Sequence, residues 1–159
     1  MKKEVKGYEK QLSDIEEYGL HVIHVLEDEN GPSFSYSIGL FHNYHHPEII
    51  MVGLKKDLAH ILINDIAFDI KQGQTYKNGT FYSDILDNYK CLMLEVDAKY
   101  YDEYVGQAIR FYKNNDFPLL QCIYPTVKGA YPWEDTWPED IKYLQPILGD
   151  INRNRKNIG

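Results

Sequence analysis

The spacing of apolar residues changes period several times along the chain, and each change marks an element. Leu12 and Ile15 share one face of a short helix over 9–18, and Gly19 sits where a helix C-terminal glycine belongs. His21-Val22-Ile23-His24-Val25-Leu26 is rich in β-branched residues and predicts a strand. Asn30-Gly31 marks a turn within 27–32. Small polar and large residues then alternate from Ser33 to Leu40, the period of a half-buried strand that would pair with the first as a hairpin. The segment 41–47 reads as a loop with three histidines. The near-continuous apolar run over 48–54 reads as a central strand.

Farther on, Leu58, Ile61, Leu62, Ile66 and Ile70 recur at helical spacing. Asp57 is the expected cap of that helix and Gly73 its expected end. Asn78-Gly79 predicts a turn, and Thr80-Phe81-Tyr82 a short edge strand. Cys91-Leu92-Met93-Leu94-Glu95-Val96 predicts a strong strand. Asp97 would then cap a helix with Tyr101, Tyr104, Val105, Ala108, Ile109 and Tyr112 on its apolar face. The run over 119–124 is the last strand, ended by Pro125. Beyond Lys128 the chain predicts an irregular but ordered segment, because Trp133 and Trp137 are costly to leave exposed. The fold class is α+β: a mostly antiparallel sheet with two main helices packed on it, a small, partly closed barrel being the variant. The first three strands lack intervening helices, which disfavours a doubly wound fold. One domain is expected over 1–159, with 1–8 and 150–159 as flexible ends.

Composition narrows the function classes. The net charge of -7 argues against a nucleic-acid partner; the basic run at 152–156 is read as a frayed terminus. No apolar run approaches membrane-spanning length, and no secretory leader is visible at the N-terminus. Cys91 and Cys122 each lie within a predicted strand, as buried thiols do, and fit a cytoplasmic setting. The chain has 14 tyrosines, a residue suited to pocket walls and interfaces; from this we expect a homo-oligomer.

Four constellations bear candidate chemistry. His46 and Glu48, two apart on extended backbone, would face one side and could act as an acid/base pair. Tyr36, Ser37 and Gly39 lie on a strand of small polar residues able to line a pocket. His60 and Asn64 share a helical face. Gln121, on an otherwise apolar strand, needs a partner and could act with Trp133 on a planar ligand. There is no nucleophile elbow, phosphate loop, dinucleotide fingerprint or helical His-Glu-x-x-His pattern. No metal-ligand set and no cofactor is assigned.

Tyr18-Gly19-Leu20-His21-Val22-Ile23, then 31–40 and 46–54, followed by Asn115-Asp116-Phe117-Pro118-Leu119-Leu120-Gln121-Cys122, Tyr131-Pro132-Trp133 and Gln145-Pro146-Ile147-Leu148, together resemble the bacterial DUF4262 family from about residue 18 to about residue 149. Its motif positions fall on Gly39, His46, Pro47, Glu48, Gln121, Pro132 and Trp133. The family is a domain of unknown function, so the resemblance implies no reaction. A weaker likeness, at the level of fold alone, is to the flavin-binding split barrels. The expected function is a non-catalytic module binding a small molecule or a protein partner. The alternatives are a hydrolase-type enzyme using His46 and Glu48, and a flavin-dependent oxidoreductase.

Overall fold

The computed structural model describes residues 2–151, with side chains from residue 7 onward. Its elements are α1 (Lys2–Tyr18), β1 (His21–Val25), β2 (Phe34–Ile38), α2 (Leu40–Tyr44), β3 (Glu48–Val52), α3 (Lys56–Lys71), β4 (Thr80–Leu86), β5 (Tyr89–Glu95), α4 (Tyr101–Tyr104), α5 (Gly106–Tyr112) and β6 (Leu119–Ile123). The six strands form one sheet in the order β1-β2-β3-β6-β5-β4. Every neighbouring pair is antiparallel except β3 and β6, which run parallel at the centre. The sheet is open, with β1 and β4 as its edges, and so is not a closed barrel.

Strand parity sorts the two faces. Ile49, Met51, Cys91, Met93, Leu120 and Cys122 face α3, whose Leu62, Ile63, Ile66 and Ile70 cover them. Tyr36, Ile38, Ile50, Val52 and Leu119 face the other way, onto Ile15 of α1 and onto Tyr101, Val105 and Ala108. Where those helices end, Leu92, Leu94 and Ile123 are covered instead by Trp133, Ile147 and Ile151 of the C-terminal segment. Each large side chain so buried contributes about 1.5–3 kcal/mol.

That segment is fastened by two glutamines acting as surrogate strand backbone. Gln121 Nε2 donates to the Pro146 carbonyl at 2.8 Å, and its Oε1 accepts from the Leu148 N–H at 2.8 Å. Gln145 Oε1 accepts from Tyr124 N–H at 3.1 Å, and its Nε2 donates to Tyr124 O at 2.9 Å. The irregular ending expected beyond Lys128 is therefore a third packing layer. The basic run at 152–156 lies outside the described residues.

Local details depart from the pattern reading for physical reasons. Residues 2–8 are the first turns of α1. This helix buries Gln11 and Ile15, four apart, and leaves Leu12 at 38% exposure. Asp57 does not cap α3: the cap is Lys55, and Asp57 sits in the first turn, where its charge suits the positive helix end. Asp97 precedes a single tight turn over 98–100 without a side-chain cap bond. The helix expected after it is broken in two at Val105 (φ -122°, ψ 40°), a β-branched residue followed by glycine, both weak helix formers. Asn78-Gly79 forms the expected turn ahead of β4, while the hairpin joining β4 to β5, not singled out by the pattern, turns at Asp87-Asn88, where Asn88 adopts φ 69°.

Candidate functional site

The segment read as a loop over 41–47 is a short helix, and its start encloses Glu48. Gly39 at φ 122° swings the chain out of β2, so that successive N–H groups point inward. Glu48 Oε2 accepts from Gly39 N–H at 2.9 Å and Phe41 N–H at 3.3 Å, and Oε1 accepts from Leu40 N–H at 3.1 Å. Ser37 Oγ donates to Oε1 at 2.8 Å, and the Tyr112 hydroxyl donates to Oε2. Both hydroxyls are committed as donors, because Ser37 Oγ takes the Ile49 N–H and Tyr112 Oη takes the His42 N–H. Burial pushes the Glu48 carboxyl up, and the hydrogen bonds from Tyr112, Ser37, Gly39 and Phe41 oppose that by favouring the ionised form. Burial and the adjacent Glu48 also push the Tyr112 phenol up, so it keeps its proton.

His46 points elsewhere. Its Nε2 accepts from Tyr76 N–H at 3.0 Å and its Nδ1 lies 2.8 Å from Pro47 O. A ring nitrogen that accepts an N–H carries no proton, so Nδ1 is the protonated one and the ring is neutral. Burial lowers its pKa, against the bond to Pro47 O. The ring packs edge-on to Tyr76, under which Tyr82 continues the stack. His46 and Glu48 thus share a neighbourhood in sequence but no hydrogen bond.

The other candidates divide between two places. Ser37 and Gly39 belong to the Glu48 enclosure. Tyr36 is buried, its hydroxyl accepts from Gln107 N–H at 3.3 Å, and burial pushes its pKa up to about 12. Gln121 fastens the C-terminal segment, and Trp133 stacks on Tyr131 with ring centroids 4.9 Å apart. Asn64 Nδ2 donates to His60 O and, with His60, lines a cleft of about 490 Å³ bounded by Asp14, Tyr18 and Lys71. Glu48, His46, Gln121 and Trp133 do not converge on one hollow.

A larger cleft, about 630 Å³, continues from that one along the outer edge of β1. Its walls come from α1 (Tyr8, Gln11), β1 (His21–His24), the start of α3 (Lys56) and α5 (Gln107, Arg110). Gln11 is 1% exposed. Its Nε2 donates to Gln107 Oε1 at 2.9 Å, while its own Oε1 is buried without a hydrogen-bond partner among the described residues. The Arg110 guanidinium lies over the Tyr8 ring, 4.3 Å from its centroid. His24 bridges Ser35 Oγ at 2.7 Å and His60 at 3.1 Å; burial and then the neighbouring His60 lower its pKa. Among the described residues no three metal-ligating side chains are grouped to hold an ion.

Residues 14–138 match the family model described as Domain of unknown function (DUF4262). The chain belongs to the DUF4262 family. No curated protein and no solved structure matches it. The DUF4262 match includes the whole Glu48 enclosure and all six strands of the sheet, and stops short of Gln145. No helix among the described residues of this DUF4262 chain is long and apolar enough to cross a membrane.

The residues of the larger cleft were not among the sequence candidates. One signal was present: Gln11 falls four residues before Ile15, on the buried stripe of a predicted helix, where a polar side chain demands a partner. Lys56, Gln107 and Arg110 carry no comparable mark, because only the fold brings them together.

The His46 geometry makes a prediction of its own. The folded-state pKa lies below the ordinary 6.5, so the unfolded chain takes a proton first as pH falls. The stabilisation from this histidine is complete above about pH 6.5 and declines as pH drops toward the folded-state value. Side-chain nitrogen NMR should find His46 neutral, protonated at Nδ1, at pH values where an unfolded histidine is already charged. A ring that protonates at 6.5 or above would contradict the assignment.

Proposed function

We propose that this DUF4262 chain is a non-catalytic binding module whose site is the cleft along the outer edge of β1. The observation that carries this reading is a sizeable concavity whose wall holds Lys56 and Arg110, neither paired with a carboxylate among the described residues, with the guanidinium set over Tyr8. Cations left unneutralised in a concave wall draw in ligands of opposite charge. The residues that carry the acid/base alternative support the same conclusion by their engagement. Both ring nitrogens of His46 are spent on backbone groups, and Glu48 is fully buried among five donors.

The test is a fragment screen by NMR on the full chain, using neutral, cationic and anionic compounds of under about 20 heavy atoms. Hits are expected to shift amide signals of α1, β1 and α5 together, with no turnover of any fragment. Hits confined to other surfaces, or a fragment chemically altered by the protein, would overturn the reading.

A further inference from the structure

We infer that the β1-edge cleft takes a small oxyanion, a carboxylate or phosphate; this rests on the binding-module reading above.

Charge placement argues for the oxyanion. The chain carries a net charge of -7, yet no carboxylate lines this cleft among the described residues. Lys56 and Arg110 both line it, and neither forms an ion pair with a carboxylate among the described residues. Acidic residues line a different cleft instead, of about 620 Å³ at the end of β5, with Glu95, Asp97, Asp116 and Asp150 in its wall. A cavity with cations and no anions concentrates negative ligands, and a guanidinium offers two parallel donors to a carboxylate or phosphate. Arg110 is held over Tyr8 rather than by an acid, so its donors remain available in a defined orientation.

Two sources share this chemistry: nucleotides, with a phosphate beside hydroxyl and amino groups, and N-acylated amino acids or peptide C-termini, with a carboxylate beside an amide N–H.

Calorimetric titration of the full chain with adenosine monophosphate, N-acetylglycine, adenosine and agmatine distinguishes these. Binding by either or both anionic probes, with shifts at Gln11 and Gln107, supports the inference, and which of the two binds identifies the source. Arg110→Gln and Lys56→Gln should each weaken that binding on the order of tenfold, and rising salt should weaken it further. Comparable binding of adenosine or agmatine at the cleft would overturn the oxyanion assignment and leave the binding-module reading intact. Failure of both anionic probes to bind would also overturn it, and the fragment screen then decides whether the cleft binds anything.

Discussion

Replacing Glu48 with glutamine should destabilise the fold by about 3–5 kcal/mol, although the two side chains have the same shape. The carboxylate is fully buried and both oxygens are acceptors in use. An amide offers one oxygen and one NH2, so two or three of the five donors would face another donor. Orientation does not help: one way the NH2 meets Ser37 and the Leu40 N–H, the other way it meets Tyr112 and the N–H groups of Gly39 and Phe41. Three of those donors are backbone and cannot turn aside. Tyr112→Phe, which removes one donor and leaves the carboxylate, should cost less, about 1.5–3 kcal/mol. Urea unfolding of the three chains measures the series. A Glu48→Gln chain within about 1 kcal/mol of the native one would mean the buried carboxyl already carries a proton, with an O–H in place of one acceptor.

Gly39→Ala should be comparably severe, on the order of 3 kcal/mol or more, from two independent causes. At φ 122° and ψ -20° no L-residue is comfortable. The added methyl would also stand 2.6 Å from Gly19 O and 3.0 Å from Leu20 Cα, both backbone atoms of the turn after α1. That turn is itself tied down by Asn43 Nδ2, which donates to Ile15 O and Gly19 O, so it has little room to retreat. Gly31→Ala is the control: nothing lies within 4 Å of its added methyl, and it should change stability by less than about 0.5–1 kcal/mol. Thermal unfolding of the two variants gives the comparison, and equal midpoints would remove the argument.

Strand-forming runs were legible because burial on one or both sides leaves a record in residue type. Val22-Ile23, Ile49 to Val52, Leu92 to Leu94 and Leu119-Leu120 each announce a strand, and the structure puts one there. Turns were legible in part. Asn78-Gly79 marks one, just ahead of β4, whereas the hairpin between β4 and β5 turns at Asp87-Asn88, which no pattern singled out; many dipeptides permit a turn, and the register of the flanking strands decides among them. The helix α2 was invisible because Phe41-His42-Asn43-Tyr44 has poor intrinsic propensity. Its stability comes from Glu48 accepting at its start, a contact between segments that no local pattern encodes.

The candidate residues were recognisable as unusual for a related reason. A glutamate opening an apolar strand and a glutamine inside another must each be satisfied by something, and sequence reports the need without the supplier. For Glu48 the suppliers are Ser37, Tyr112 and three backbone N–H groups; for Gln121 they are the backbone of Pro146 and Leu148. Both needs are met internally. The one that is not, at Gln11, sat within a helix pattern that drew attention to Leu12 and Ile15 instead.

The parallel contact between β3 and β6 divides the sheet by history as well as by geometry. On one side β1, β2 and β3 follow one another along the chain; on the other, β4, β5 and β6 do. Each trio zips up from neighbours, and the seam between them rests on three facing pairs, Glu48 with Leu119, Ile49 with Leu120 and Ile50 with Gln121. Joining residues so far apart is the slow part of assembly. A polypeptide severed in the connection over 72–79 would keep each trio whole, and the two pieces would reunite along that seam and beneath α3, which travels with the first piece and covers Cys91, Met93, Leu120 and Cys122 of the second.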